Sequence, residues 1–156
     1  MKPLREAITL LGLVLPAIYL AITYSSLPSL IPSHFSLSGQ PDRFAARGVL
    51  WFILGISAVL YLLLTVVGQF PRLFNLPGPR NGSSRARAEA LGKELVAWLR
   101  LEIVLTFAWL VWSILSIAHH RTHDLSTGFT LVAFLVITAT TLYYLFRMKQ
   151  AAETKP

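Results

Sequence analysis

Cysteine is absent from all 156 residues of the chain, which excludes disulfide bonds and thiolate metal sites. Charge is also scarce, because only 13% of the residues are Asp, Glu, Lys or Arg, where a soluble domain has about a quarter. Hydrophobic residues make up 54% of the chain. A water-soluble globule of this length would need more charge on its surface. We therefore expect lipid to be the solvent for most of the chain.

Four apolar stretches are long enough to cross a bilayer, whose core of about 30 Å takes about 20 residues of helix. Residues 48–70 and 128–146, like residues 7–24, contain no charged residue at all. Pro16 and the lack of a clear cleavage site argue against a cleaved signal peptide in the first stretch. The sequence predicts an all-α membrane protein, a four-helix bundle in one domain over residues 1–156, with spans at 7–24, 48–70, 95–118 and 128–146.

The distribution of basic residues predicts the orientation in the membrane. The two termini and the connection over residues 71–94 hold ten Lys and Arg residues, against three in the other two connections. Basic residues concentrate in cytoplasmic loops, so we expect both termini and residues 71–94 to be cytoplasmic. Because orientation accounts for the excess of basic charge, the sequence does not call for a nucleic-acid partner.

The connection between the first two spans, LPSLIPSHFSLSGQPDRF over residues 27–44, is rich in residues that restrict the backbone. Prolines fix φ and disfavour helix in the residue before them, and glycine can adopt a positive φ in a turn. We expect an ordered, non-helical loop on the extracytoplasmic side. The residues that would shape it are Pro28, Pro32, Gly39, Pro41 and Asp42.

Two titratable side chains stand in this connection. Asp42 precedes the second span, where its carboxylate could accept hydrogen bonds from the free N–H groups at the start of a helix. His34 has no comparable structural explanation, because it lies between a proline and Phe35 near the membrane interface. It is therefore the first candidate for a functional residue.

The pattern L-P-x-x-I-P-x-H-F-x-x-x-G-x-P-D in this connection resembles a small membrane domain of unknown function found at the N-terminus of bacterial SdpI-type immunity proteins. The resemblance covers about residues 7 to 75 by inspection of the sequence. It implies a bacterial or archaeal plasma-membrane protein. SdpI-type proteins protect the producing cell from a secreted peptide toxin, and some relay its presence to a repressor. By this resemblance, His34, Phe35 and Asp42 would line a surface that recognises a peptide or small ligand.

A second candidate site is the stretch AHHRTHD between the third and fourth spans. It contains three histidines, His119, His120 and His123, and His123 could share one face of a helix end with either of the other two. Imidazole suits Zn²⁺, Cu²⁺ or Ni²⁺, and the predicted topology places this loop on the same side as His34. One interpretation is a divalent-metal site of His34, two loop histidines and Asp42 or Asp124. The alternatives are a solvated His-rich loop and a pH-sensitive outer surface.

A third candidate is the stretch WLRLEI in the third span, since an ionisable residue inside a membrane is by default a functional candidate. Arg100 and Glu102 are two residues apart, so they point to different faces of a helix and do not pair with each other. If the span begins near Leu95, Glu102 lies about 10 Å inside the membrane. If it begins at Ile103, both side chains are interfacial and can reach the headgroups.

No motif indicates an enzyme, because the chain has no nucleophile elbow, phosphate-binding glycine loop or HExxH sequence. The leading hypothesis is a non-enzymatic protein that recognises a ligand at its outer face, where Glu102 is a further candidate ligand-binding residue. One alternative is a metal- or proton-linked transport or accessory protein that uses the histidines and Glu102. Another is a structural subunit of a larger membrane complex. The expected partners are the lipid bilayer and a peptide ligand or membrane protein.

Overall fold

The computed structural model describes residues 2–71, 74 and 82–153. These residues form four helices and a two-stranded β-hairpin, and a 3₁₀ turn over Tyr24–Ser26 precedes the hairpin. In chain order the elements are α1 (Lys2–Thr23), β1 (Leu30–Phe35), β2 (Pro41–Ala46), α2 (Val49–Gln69), α3 (Ser83–Ala118) and α4 (Thr127–Glu153). All four helices are long and apolar enough to cross a membrane. The predicted four-span, all-α membrane fold is confirmed, and the chain is a multi-pass membrane protein.

Helices α3 and α4 are longer than their predicted spans. They contain 36 and 27 residues, or about 54 and 40 Å at 1.5 Å per residue, more than the roughly 30 Å bilayer core. Their extensions run side by side, since Arg87 and Leu91 of α3 line a shared groove with Arg147 of α4. The irregular chain predicted before Ser84 lies largely outside the described residues.

Helix α3 is the centre of the bundle, because α1, α2 and α4 all pack against it. It buries eleven residues, whereas α1 buries only Thr9 and Leu20. Most apolar side chains of α1, α2 and α4 are exposed on the outside of the bundle, which is where a membrane protein contacts lipid. Gly12 lets α1 approach α3 closely, since a Cβ at Gly12 would lie 3.1 Å from a methyl group of Leu105. Small residues are common at such membrane-helix contacts.

The β-hairpin sits on one end of the bundle, which we call the hairpin end. Its Ile31 is fully buried in a cluster that joins α1, α2 and α3. The members of this cluster are Leu20, Leu27, Ile31, Leu50, Leu54, Val111, Ile114, Leu115 and Ala118. The connection from α3 to α4 lies at the same end, and the chain termini lie at the other.

The prediction that Asp42 caps the second span is wrong. Helix α2 begins at Val49, its N-cap is Gly48, and no side chain caps it. Asp42 instead lies in β2, because the chain stays extended from Pro41 to Ala46. The other backbone predictions for this connection are confirmed: the stretch is ordered and non-helical, and Gly39 has a φ of 85°.

We predict that Gly39→Ala destabilises the protein by about 1–3 kcal/mol, the usual cost of holding a non-glycine residue in a sparsely populated backbone region. A Cβ at Gly39 would also lie 2.1 Å from the carbonyl oxygen of Leu125, so the turn would have to move. The measurement is the free energy of unfolding in detergent micelles.

Gly55→Ala is the matched control for this prediction. Gly55 lies within α2, and an added Cβ there meets no atom within 4 Å. It should leave the stability unchanged or raise it by up to about 1 kcal/mol, the difference in helix propensity. Equal stability of the two variants would contradict the turn geometry described above.

Candidate functional site

The hairpin has an irregular antiparallel register. Leu30 pairs with Ala46 and Ile31 with Ala45, but the register shifts on both sides of His34. The turn is closed by two backbone hydrogen bonds of 2.9 Å, from Ser36 N–H to the Gln40 carbonyl and from Gly39 N–H to the Ser36 carbonyl. The sequence therefore builds a short, closed hairpin with a local distortion at its histidine.

Two sets of contacts hold the hairpin to the rest of the protein. The N–H of Leu125, in the connection from α3 to α4, donates a 2.8 Å hydrogen bond to the Gly39 carbonyl. At the other end, Arg47 donates 3.1 Å hydrogen bonds to the carbonyls of Tyr24 and Leu27. Its guanidinium also lies 4.7 Å from the centre of the Tyr24 ring. The hairpin is therefore fixed both at its turn and at its base.

The candidate residues His34 and Asp42 meet across the two strands. Nδ1 of His34 lies 2.6 Å from Oδ1 of Asp42, and the two side chains are 60% and 45% exposed. An ionised carboxylate only accepts hydrogen bonds, so Nδ1 is the donor in this contact and Nε2 is the ring nitrogen left for another partner. Among the described residues, Nε2 has no hydrogen-bond partner. The pair therefore presents an oriented imidazole and a carboxylate to solvent.

The aromatic residue selected from the sequence is not the one that the structure exposes. Phe35 is partly buried and packs against the cluster under the hairpin. Phe44 is 59% exposed, Leu30 is 61% exposed, and Leu37 at the turn is 99% exposed. Strand alternation could not have revealed them, because Ile31 and Pro32 are both buried and Leu37 lies in the turn between the strands.

We define the hairpin surface by five of the exposed side chains of this element, the polar pair and three large apolar residues. They are Leu30, His34, Leu37, Asp42 and Phe44. It combines apolar side chains with one polar pair on a fixed backbone, a composition that recognition sites share.

The histidines after α3 lie close to the hairpin but do not join its polar pair. His119 Nδ1 lies 2.8 Å from the Leu115 carbonyl of its own helix, and Nε2 is 3.4 Å from the Ser26 hydroxyl. His120 ends the helix with a φ of 56°, and His123 is exposed. The two connections do contact each other, through the hydrogen bond from Leu125 to Gly39.

The four-histidine metal site is not assembled in this structure. Among the described residues, which include every histidine, no group of three or more His, Cys, Asp or Glu side chains is placed to hold a metal ion. The reason is that His34 pairs with Asp42, whereas His119 bonds to its own helix. The structure therefore gives no support to the metal interpretation of His34, His119, His120 and His123.

A buried polar cluster joins three helices near the opposite end of the bundle. Arg100 of α3 is 9% exposed. It donates to Glu6 of α1 and, over 2.8 Å, to the hydroxyl of Thr65 in α2. Its guanidinium also lies 5.3 Å from the centre of the Tyr61 ring. Glu6 directly precedes the first apolar stretch, so Arg100 lies near the edge of the hydrocarbon region.

Glu102 points to a different helix, as the two-residue spacing predicts. Its Oε1 accepts a 2.6 Å hydrogen bond from the hydroxyl of Thr140 in α4. Its Oε2 is buried and has no partner among the described residues. Thr140 is about 10 Å along α4 from Arg147, at 1.5 Å per residue. Along α3, Glu102 is only about 3 Å from Arg100, less than one helical turn.

A further ion pair at this end was missed from the sequence. Arg5 donates to Oε2 of Glu94 over 2.8 Å, and Lys2 lies 3.3 Å from Oε1 of the same carboxylate. The guanidinium of Arg5 is 5.3 Å from the centre of the Trp98 ring. These partners are about 90 residues apart in the chain. The one sequence signal for the ion pair was that its residues lie at the borders of apolar stretches.

The family comparison concerns the part of the chain that builds the hairpin. Residues 11–58 match the model of a family described as a domain of unknown function (DUF1648). This segment contains most of α1, both strands and the first part of α2, whereas α3 and α4 lie outside it.

One relative extends the comparison. An uncharacterized protein of Archaeoglobus fulgidus is 32% identical over an alignment of 78 positions, which covers 45% of this chain and 43% of the relative. The chain therefore spans less than half of the length of that relative. No solved structure matches the chain. The protein is a multi-pass membrane protein in which residues 11–58 match a domain of unknown function (DUF1648).

Proposed function

We propose that this chain is a non-enzymatic membrane protein that recognises a peptide or small ligand at its hairpin surface. The observation that carries the proposal is the combination of a fixed backbone with exposed functional groups. The Leu125–Gly39 hydrogen bond holds the turn, while the paired side chains of His34 and Asp42 remain 60% and 45% exposed. The resemblance to SdpI-type immunity proteins, which lies in the same residues, also supports it.

The physical advantage of such a surface is preorganisation. A ligand that binds a fixed hairpin does not have to order it first, so less of the interaction energy is lost as conformational entropy. The Asp42 carboxylate and Nε2 of His34 can make directional contacts with a ligand, and Leu37 and Phe44 supply apolar area. The site is thus ready to bind rather than assembled by binding.

The shape of the hairpin favours an extended peptide as the ligand. In the part of the chain that the structure describes, β1 and β2 pair only with each other. Each strand therefore has an outer edge, and an extended peptide can add to such an edge through main-chain hydrogen bonds. With the orientation that the basic residues predict, the hairpin faces outward, where a secreted peptide arrives.

The test is survival of host cells that express the chain and are challenged with the secreted peptide toxin that SdpI-type proteins neutralise. We expect wild type to raise survival at least about tenfold. His34→Ala should remove most of this protection, because it deletes the exposed imidazole and leaves Asp42 without its partner. A charged or hydrogen-bonded contact of this kind is worth about 1.5–3 kcal/mol, or about 10- to 100-fold in affinity.

His123→Ala is the matched control, because it removes an exposed histidine at the same end of the bundle that lies outside the hairpin surface. It should protect as well as wild type when both are present in the membrane at equal amounts. No protection by wild type, or equal protection by His34→Ala and His123→Ala, would contradict the proposal.

A second candidate function, proton- or ligand-linked transport, is favoured by Glu102 alone. Its carboxyl lies within the bundle, with one oxygen on Thr140 and the other buried without a partner among the described residues. A charge at such a depth is costly, so intramembrane carboxyl groups often mark proton or ion pathways.

Glu102→Gln separates the two candidates. The leading proposal predicts unchanged survival in the toxin challenge, because Glu102 lies far from the hairpin surface. The transport alternative predicts that proton flux into proteoliposomes, followed with a pH-sensitive dye, depends on Glu102. Glu89→Gln is the control, since Glu89 pairs with Arg85 at 2.9 Å before the apolar part of α3. Transport would be favoured over ligand recognition if Glu102→Gln abolished both the proton flux and the protection while Glu89→Gln left both unchanged.

A further inference from the structure

A long apolar groove follows the contact between α1 and α3. It has a volume of about 660 Å³ and runs along α1 from Ile8 to Ile22, about 21 Å at 1.5 Å per residue. Trp109 lines it from α3 and stacks on Phe129 of α4, with ring centres 4.0 Å apart. All the residues that line the groove belong to α1 and α3, and Trp109 connects its wall to α4.

This groove continues into a second cavity with a different chemistry. The second cavity, of about 500 Å³, is near the N-terminal end of α1, and Ile8 borders both. Its polar lining comes from α1, α3 and α4: Lys2, Arg5, Glu94, Trp98 and Tyr144. Taken together, the two cavities form one elongated site, which we call the α1–α3 groove, that is apolar along its length and basic at one end.

The basic end of the α1–α3 groove has a defined geometry, because Arg5 is held in place by neighbouring side chains. The side chain of Arg5 is only 10% exposed, and it is held by Glu94 and by the ring of Trp98. A guanidinium has five N–H donors, and the contacts of Arg5 with the described residues use one of them. Its Nε is buried without a partner there. Since Lys2 and Arg5 face one carboxylate, Glu94, the end of the groove has a net positive charge.

We propose that the α1–α3 groove binds one anionic phospholipid, with the headgroup phosphate at Lys2 and Arg5 and one acyl chain along the apolar part. Charge complementarity identifies the headgroup, since basic pockets between membrane helices are typical sites for anionic lipids. The apolar length identifies the chain, because this part of the groove opens into the hydrocarbon region. Trp98 and Tyr144 line the junction, at the depth where aromatic side chains contact headgroups.

The lipid would have a definite structural effect. Helices α1 and α3 pack on each other, and both line the groove. An acyl chain there would contact both helices and fill the gap along their shared border. The site therefore differs from general lipid contact, where any lipid can take the place of any other.

The test uses native mass spectrometry of the full chain in a mild detergent, with dioleoyl phosphatidylglycerol and dioleoyl phosphatidylcholine added in separate arms. We expect one phosphatidylglycerol to remain bound, at least about fivefold more often than phosphatidylcholine. Lys2→Gln should lower this retention about threefold or more, and the lysine is suited to the test because its side chain is 80% exposed. Lys149→Gln, at an exposed lysine of α4 outside the groove, should have no effect.

A second variant tests the acyl-chain part of the groove independently. Ala108→Phe adds a large side chain to the groove lining, so it should reduce phosphatidylglycerol retention while Lys2 and Arg5 remain. Its fold is checked by helical circular dichroism and size-exclusion chromatography. If it does not fold, Leu15→Trp takes its place, since Leu15 also lines the groove and is 56% exposed.

Three results would overturn the proposal. Equal retention of the two lipids would remove the role of the negative charge. Unchanged retention in the folded groove-filling variant would remove the role of the acyl chain. Displacement of phosphatidylglycerol by millimolar inorganic phosphate would show that the basic end binds a free anion and that the groove contributes nothing.

Discussion

The hydrogen bond from the Leu125 N–H to the Gly39 carbonyl is the contact on which the hairpin end depends. It joins two connections that are far apart in the chain, and it requires Gly39 to have no side chain, since a Cβ would collide with the Leu125 carbonyl. Ile31 then lies in the cluster between the helices, and Arg47 fixes the base of the hairpin. As a result, His34 and Asp42 keep a defined geometry while they remain exposed. An element of this size would otherwise be only marginally stable by itself.

A membrane bundle cannot rely on the hydrophobic effect to join its helices, because lipid is as apolar as the helix surfaces. Packing and polar contacts must therefore hold α1 and α2 against α3. Arg100 supplies such contacts near the terminal end through Glu6 and Thr65. The hairpin and Leu125 supply them at the other end. The bundle is thus tied at both ends, and the apolar part of the α1–α3 groove lies between these two sets of contacts.

The helices could be predicted from the sequence because charge-free apolar stretches leave few alternatives in a membrane. The positive φ of Gly39 also followed from its sequence, since the residue stands among turn-forming neighbours. The role of Asp42 could not be predicted from the sequence. A carboxylate shortly before an apolar stretch is typical of an N-cap, and the sequence does not show that the chain stays extended between Asp42 and the helix. Only the pairing of β1 with β2 brings Asp42 to His34.

The remaining differences between the sequence predictions and the structure arise from contacts between residues that are distant in the chain. Phe35 and Phe44 have the same side chain, and the strand orientation over Ile31 decides which one is exposed. The partners of Arg5 and Arg100 lie on helices whose relative rotation the sequence does not specify. The loop histidines stand at metal-compatible spacings, but spacing within one segment cannot bring His34 to them.

Hydrogen exchange of the hairpin amides in lipid nanodiscs tests the central claim, an ordered hairpin that presents His34 and Asp42, most directly. We expect the hydrogen-bonded amides of residues 30–46 and of Leu125 to exchange at least about a hundredfold more slowly than the amides of an unstructured peptide. A hundredfold slower exchange corresponds to an opening free energy of about 2.7 kcal/mol. Exchange of these amides at the rate of unstructured chain would contradict it.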